Sequence, residues 1–511
     1  MELDNKPESV VFSPKLSPAD VARIITDSGR VSPQVTAIKD AVRYYGGHSD
    51  IENKKRVYYT KDKVAIDNPA ANNSRLKSRF LRQLVQQKQD HSLAKSFILK
   101  LSTENEKEVD LAKDDYGKAW KQFCDKTLNE ASYDLCGQAV NDGIGWCYVW
   151  IDGNGDFQLK TVPSELIYPV WRDSQHKELD RLVYNFIRLK YEGLSLEKTE
   201  YAEYWTGTER HLFNVSAGYK EEVVLTDEEG CLLVSHMTDN VSWGKIPFIA
   251  FKGTSDEATL LSFIREQVDD YEKVFSRGVD GVIDDLDPLL LVKEMSSDVE
   301  VIKETKELMR LTRLVSVSPD GDARYISADT NIEKHLLTIE RLRKDIYKFG
   351  YGVDTQDARF GGNPNQLEIQ ALYQDLDTYT DGLERQFQSF ITDLKYFFDR
   401  WWELTGRGSF VIAQSYKALV QFDRSMLMNQ SAQIDDTVKL SSTGVSQRTI
   451  LEFNPVVQDV EQELKRIEVE RKEAEKNNPF LGLSGGFGKE EEEKEEKGEV
   501  EEPSDKQKRE Q

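Results

Sequence analysis

At 511 residues the chain is long enough for more than one hydrophobic core. A content of 38% hydrophobic and 10% aromatic residues excludes wholesale disorder. A net charge of −23 excludes a surface that grips DNA or an anionic membrane all over, although it leaves room for a protein that surrounds DNA without holding it.

Residues 1–33 are polar and carry Pro7, Pro14, Pro18 and Pro33, which suits an N-terminal arm with a short helix starting at Ser17. The start Met1-Glu-Leu-Asp has no basic segment or apolar core, so no signal peptide is expected. No apolar run is long enough to span a bilayer. Helices are expected over Val35–Tyr45, Arg75–Lys95 and Tyr116–Val140, and a strand over Phe97–Leu101. Trp146–Ile151 and Asp156–Val162 flank a turn at Asp152–Gly155 and predict a β-hairpin. Asp152, Asn154 and Asp156 imitate the start of a calcium loop. The sixth position is Phe157 where such a loop needs Gly, and the twelfth carries no Glu, so the hairpin is preferred.

Strands follow over Leu182–Leu189, Thr199–Trp205, Arg210–Val215 and Ile246–Phe251. Helices first and meandering strands after define an α+β class. The period then returns to that of a helix over Glu257–Phe275, closed by Gly278 and Gly281. A small insertion is expected to hold strands at Leu289–Lys293 and Arg313–Ser318 with a helix near Asp298–Arg310.

Two strongly patterned helices come next. Ile332, Leu336, Ile339, Leu342, Ile346 and Phe349 form one apolar stripe, and Leu372, Leu376, Tyr379, Leu383, Phe387, Phe390, Leu394, Phe397 and Trp401 form another. Gly350 to Pro364 separates them, because Gly and Pro stop helices. On these residues alone an ordinary helical hairpin is a sufficient account. Phe410–Phe422 is expected as a strand, with helices at Met426–Lys439, Ser446–Phe453 and Val460–Glu475 and a solvated Glu/Lys tail from Asn477.

Little chemistry is visible. The four cysteines and six histidines show no metal-ligand spacing, and no Walker A or H-E-x-x-H motif occurs. Gly482-Leu-Ser-Gly-Gly486 matches a nucleophile elbow literally but lies in low-complexity sequence without a flanking strand or helix. No catalytic residue, metal or cofactor is expected.

The order of segments resembles the portal proteins of tailed bacteriophages, in particular siphophages of Gram-positive hosts. Three stretches carry the resemblance. They are Ala41-Val-Arg-Tyr-Tyr45 with Asp50–Arg56 and Asn72–Arg75; Trp243-Gly-Lys-Ile-Pro-Phe-Ile249; and Glu452-Phe-Asn-Pro-Val-Val-Gln-Asp459 with Glu461–Glu468. The resemblance implies a portal fold in a ring, expected as a dodecamer, around a DNA channel at the unique capsid vertex of the virion, made from chains synthesised in the host cytoplasm. It implies an arm (1–33), a wing (34–256), a first stem helix (257–278), a clip (279–331) and a second stem helix (332–351). A tunnel loop (352–366), a long kinked helix with a returning wing strand (367–424), a crown (425–475) and an acidic tail (476–511) follow. Implied partners are further copies of the chain, terminase, a head-completion adaptor, scaffold and major capsid proteins, and double-stranded DNA in transit, with no membrane.

On that basis Asp354, Gln356, Asp357, Arg359, Gly361, Gly362 and Asn363 are candidate tunnel-loop residues. Arg359 is the cation for a transient phosphate contact, with an ion pair to Asp354 or Asp357 of a neighbouring loop as its alternative. Glu266, Asp269 and Asp270 are candidates for lining the stem, where acidic groups repel the duplex. The residues also leave open a cytoplasmic scaffold that binds partner helices without a ring, and a nuclease built on clustered carboxylates.

Overall fold

The computed structural model describes residues 33–55, 57–59, 65–67, 72–93, 97–103, 114–192, 195–214, 222–223, 236–237, 241–285, 289–292, 323–326, 332–357, 366–422, 437–454 and 460–477, with Lys95 and Val457. Two compact units divide the chain, Met1–Met426 and Leu427–Gln511.

The first unit mixes helices and antiparallel sheet. Helix α1 (Pro33–Tyr45) leads through strands β1 (Val57–Tyr59) and β2 (Ala65–Asp67) to α2 (Phe80–Leu93) and β3 (Ile98–Ser102). The helix expected over Tyr116–Val140 is helical throughout but is divided into two α segments by a π turn. Helix α3 (Asp115–Phe123) is capped by the Asp114 carboxylate, which accepts the Gly117 N–H at 2.9 Å. A π turn at Cys124–Leu128 separates it from α4 (Asn129–Asp142). The extra residue of the π turn keeps Trp120, Phe123, Cys124, Leu128 and Leu135 all in one core.

Strands β4 (Ile144–Ile151) and β5 (Phe157–Val162) form the expected hairpin, with β11 (Phe248–Lys252) on the other side of β4. The Asp152 carboxylate accepts the N–H groups of Asn154 and Asp156, both at 2.9 Å. That carboxylate closes the turn, as in an Asx turn. A five-stranded antiparallel sheet runs β10–β9–β8–β7–β6. Its long hairpin pairs β7 (Leu179–Glu192) with β8 (Ser195–Trp205), and β6 (Ile167–Trp171), β9 (Arg210–Asn214) and β10 (Glu222–Val223) complete it.

Helix α5 (Leu260–Asp285) runs on through Gly278 and Gly281, where its end was expected. Ser276 and Asp280 beside those glycines are fully buried partners of another segment, so packing holds the helical turn that glycine alone disfavours. Strand β12 (Leu289–Val292) pairs with β13 (Ala323–Ile326), a strand the sequence pattern did not suggest. The expected helix at Asp298–Arg310 and strand at Arg313–Ser318 lie outside the described residues. Helices α6 (Ile332–Phe349) and α7 (Gln366–Leu404) follow.

Phe410–Phe422 is not one strand. Helix α8 (Phe410–Gln414) comes first, and only β14 (Lys417–Gln421) pairs with β3. The reason is a tertiary contact. The buried Lys395 ammonium donates to the Ala413 carbonyl at 2.8 Å while pairing with Asp399 at 2.6 Å, and an extended chain would not present that carbonyl in the same way. In the second unit, α9 (Gln447–Phe453) is capped by Ser446, whose hydroxyl accepts the Thr449 N–H at 3.3 Å, and α10 (Val460–Asn477) follows. The arm, the Ser17 helix, most of the Met426–Lys439 helix and the tail lie outside the described residues.

The main core lies between α7 and the elements α2, α3, α4, β4, β5 and β11. Phe387, Phe390, Leu394, Phe397, Phe398 and Trp401 on α7 meet Trp120, Phe157, Trp243 and Phe251. Cys124, Cys136 and Cys147 are buried free thiols. Burial pushes Cys136 up to about 12, so it behaves as an apolar filler. Gly143 ends α4 in the left-handed region at φ +80°, and a Cβ there would stand 2.2 Å from the Glu257 carbonyl oxygen. Gly155, at φ +82°, has nothing within 4 Å of the same atom. Gly143→Ala is therefore expected to cost both backbone strain and overpacking, about 2–5 kcal/mol together. Gly155→Ala should cost strain alone, about 1–2 kcal/mol. Urea midpoints of the two variants measure the difference; equal losses would contradict the close approach at Gly143.

Candidate functional site

Helices α5 and α6 are two rods that pack on each other, and each joins the main core at one end. Leu260, Ile264 and Val268 root α5 in that core. The same four-residue step then continues as Glu272, Ser276 and Asp280, all buried and all polar. Each takes a backbone N–H from the segment 72–79. Ser78 N–H donates to Glu272 at 2.6 Å, Leu76 N–H to the Ser276 hydroxyl at 3.0 Å, and Ser74 N–H to Asp280 at 2.7 Å. Alternate residues of a near-extended chain advance about 6.6–6.8 Å. Four helical residues advance about 6.0 Å. The two repeats nearly match, so a strap is laced along the rod. This lacing explains why α2 begins at Phe80 rather than at Arg75: the preceding N–H groups are committed to α5.

The ends of the lacing are charged. Ser49 donates to Glu272 at 2.6 Å, and Lys54 donates to Asp280 at 3.0 Å. Burial opposes the Asp280 charge, but the Ser74 hydrogen bonds and the Lys54 ammonium outweigh it and hold its carboxyl below the usual range. Nearer the wing, Arg265 binds Asp40 at 2.8 Å and Asp50 at 3.1 Å, and Arg43 binds the same two carboxylates at 3.0 and 2.8 Å.

Of the three candidate stem acids, Glu266 and Asp270 are exposed, and Asp270 meets Lys273 at 3.2 Å. Asp269 is half-buried and accepts the Tyr44 hydroxyl at 2.7 Å. Burial, its largest influence, pushes its carboxyl up despite that bond.

Rod α6 is buried only at its C-terminal end, at Ile346 and Tyr347. Leu336 and Leu337 are 55% and 59% exposed, and Phe275, Val282 and Ile283 on α5 are exposed as well. The apolar stripe is real, but within one chain much of it has no partner.

After α6 the backbone turns through Gly350-Tyr-Gly352. Tyr351 stands at φ 51°, and a Cβ on Gly352 would meet Leu84 at 2.1 Å, so only glycine lets the turn close on α2. Two side chains of α2 grip this turn. The Gln87 amide donates to the Val353 carbonyl at 2.6 Å and accepts the Val353 N–H at 2.9 Å. The Lys88 ammonium, fully buried, donates to the Gly350 carbonyl and to the Tyr351 carbonyl at 3.3 Å. Its Nζ lies 5.0 Å from the Tyr379 ring centroid. From the rod itself, Arg343 donates to Asp354 at 2.7 Å and also to Gln356.

Asp354 and Gln356 are thus brought together on Arg343, which the sequence reading did not single out. Asp357 N–H donates to the Asp354 carbonyl at 3.0 Å. Arg359, Gly361, Gly362 and Asn363 lie outside the described residues. The sequence did hold a signal for Glu272, Ser276 and Asp280, the unbroken four-residue step on α5. It held none for Gln87 or Lys88, whose partners are backbone atoms more than 260 positions away. Among the described residues no cluster of His, Cys, Asp and Glu is arranged to hold a metal, and no helix is long and apolar enough to cross a membrane.

Two packed rods, a long helix α7 and a turn gripped by α2 thus make up the candidate site. The family model described as phage portal protein, SPP1 Gp6-like, matches residues 31–477, and the chain belongs to that family. The portal protein of Bacillus phage SPP1 is 26% identical over 452 residues, covering 87% of this chain and 86% of the relative. The portal protein of Clostridium phage phiCD119 is 24% identical over 455 residues, covering 85% of this chain and 92% of the relative. The chain is accordingly a phage portal protein, of a family that is structural rather than enzymatic.

The lacing makes a direct prediction. Ser276→Ala leaves the Leu76 N–H buried without an acceptor and is expected to cost about 1–3 kcal/mol. Hydrogen exchange at Leu76 should quicken while amides in β4 and β5 keep their protection. Unchanged exchange at Leu76 would mean the strap is not held by this contact.

Proposed function

We propose that copies of this chain close into a ring, with twelve as the expected number, whose channel at the unique capsid vertex passes double-stranded DNA during packaging and ejection. In this reading residues 34–256 are the wing, 257–278 the first stem helix, 279–331 the clip, 332–351 the second stem helix, 352–366 the tunnel loop, 367–424 the backing helix and returning wing strand, and 425–475 the crown. The clip docks terminase and later the head-completion adaptor, and the outer surface meets scaffold and major capsid proteins. No step of this role calls for catalysis.

The observation that carries the proposal, beyond family membership, is the unpartnered apolar surface of both rods. Leu336 and Leu337 on α6, with Phe275, Val282 and Ile283 on α5, leave apolar area that a monomer would expose to water. Side-by-side rods in a ring bury it. The exposed acids Glu266 and Asp270 suit the channel face, since they repel phosphate and keep a passing duplex from being held. Asp269 suits it less, because it is engaged by Tyr44. In the loop, Asp354 and Gln356 form the base on Arg343, and Arg359 is assigned the transient phosphate contact. Since Arg343 of the same chain already holds Asp354, Asp354 is a weaker ion-pair alternative for Arg359.

Three outcomes test this. The pair Leu336→Glu and Leu337→Glu should leave the circular dichroism spectrum intact and convert rings to monomers by native mass spectrometry; rings that persist would remove the stem-packing argument. Rings carrying Glu266→Lys and Asp270→Lys should retain linear duplex at low salt and release it as salt rises, whereas no retention would place these residues away from the channel. Arg359→Ala should assemble normally and package DNA more slowly; normal packaging would end the functional reading of the loop.

A further inference from the structure

We propose that helix α2 of the wing is the seat of the tunnel loop, with Lys88 and Gln87 as positioning residues that fix where the loop leaves the second rod. The inference rests on the tunnel-loop reading above and adds the residues that hold the loop in register.

Four observations converge. The carbonyls of Ile346, Tyr347 and Lys348 at the end of α6 accept the N–H groups of Gly350, Gly352 and Tyr351, and the buried Lys88 ammonium then takes the carbonyls of Gly350 and Tyr351 just past the helix. Among the described residues Lys88 bonds to the carbonyls of Leu84, Gly350 and Tyr351 and faces the Tyr379 ring, so carbonyl dipoles and that ring face match its charge. Gln87 pairs with both backbone groups of Val353, as a neighbouring strand would. Helix α2 also reaches the far side of the loop: His91 lies 2.8 Å from Asp377 on α7, and Tyr379 is on the same helix. One short wing helix therefore grips the chain both before and after the loop.

An ordinary core residue would be expected to be apolar here, since burying an ammonium is costly. Burial pulls the Lys88 amine down to about 7, while the carbonyls facing it favour the charged form. What the lysine supplies, and a leucine would not, is a directional hold on the carbonyls of Gly350 and Tyr351. Gly352 makes the grip possible, since any side chain there would collide with Leu84 one turn earlier on α2.

The test uses rings of the full chain carrying Lys88→Met, which keeps length and volume but donates nothing. Rings carrying Leu128→Ala, a core cavity in the π turn remote from the loop, serve as a control for lost stability. Two quantities are read: hydrogen exchange at Val353 and Gln356, and the rate of DNA packaging. Lys88→Met is expected to assemble, to speed exchange at those two amides about tenfold, and to slow packaging. Leu128→Ala should do neither at equal global stability. Unchanged exchange at Val353 and Gln356 would overturn the inference. If exchange quickens and packaging stays normal while Arg359→Ala is slow, the grip exists but does not position the working loop, and the inference is also overturned. If Arg359→Ala packages normally too, the tunnel-loop reading has failed, while the exchange result alone decides whether α2 holds the turn. If Lys88→Met fails to assemble, Gln87→Leu rings give the same two readings.

Discussion

The first rod, α5, is held by backbone N–H groups that have only its side chains to receive them. Residues 74, 76 and 78 form no strand ladder and no helix, and their N–H groups are accepted by Asp280, Ser276 and Glu272 of α5. A buried donor left without an acceptor costs about 1–3 kcal/mol. Three in a row therefore tie the first rod to the 74–78 segment along about a third of its length. The contact line winds round α5 by about 40° at each four-residue step, because 3.6 residues make a turn. That winding carries the rod from the main apolar core at Leu260 and Ile264 to the polar strap at Glu272, and it leaves other faces of the rod exposed.

The free faces carry the quaternary argument. One surface holds exposed apolar side chains suited to like rods, and another holds acids suited to a passing polyanion. Neither property makes sense for a rod buried in a monomer. The long backing helix α7 differs, since its stripe from Leu376 to Trp401 is fully used within the chain against β11, β14 and α2. Two helices with similar patterns in sequence thus differ in burial: one is core, and the other leaves much of its apolar surface exposed within the chain.

Much of the fold was legible because period and punctuation agree. The bounds of α6 coincide with its apolar stripe and with Gly350, and the β4–β5 hairpin follows from alternating apolar residues around a Gly-rich turn. Misreadings arose where tertiary contacts overrode local preference. Gly278 and Gly281 do not stop α5, because Ser276 and Asp280 are anchored around them. Phe410–Gln414 is a helix because buried Lys395 needs the Ala413 carbonyl. The pairing of β12 with β13 spans more than thirty residues and has no local signature. Of the candidate site, the loop's place between the two helices was legible, but the grip of Gln87, Lys88 and Arg343 was not, since each of them acts on groups that only the fold brings near.

The central claim is that this chain works as a closed ring with an open axial channel. Image averages of the purified full chain by negative stain measure that directly. The account predicts annular particles of uniform subunit number with a central hole wide enough for a DNA duplex. Monomers alone, or open filaments with no annular particles, would contradict it.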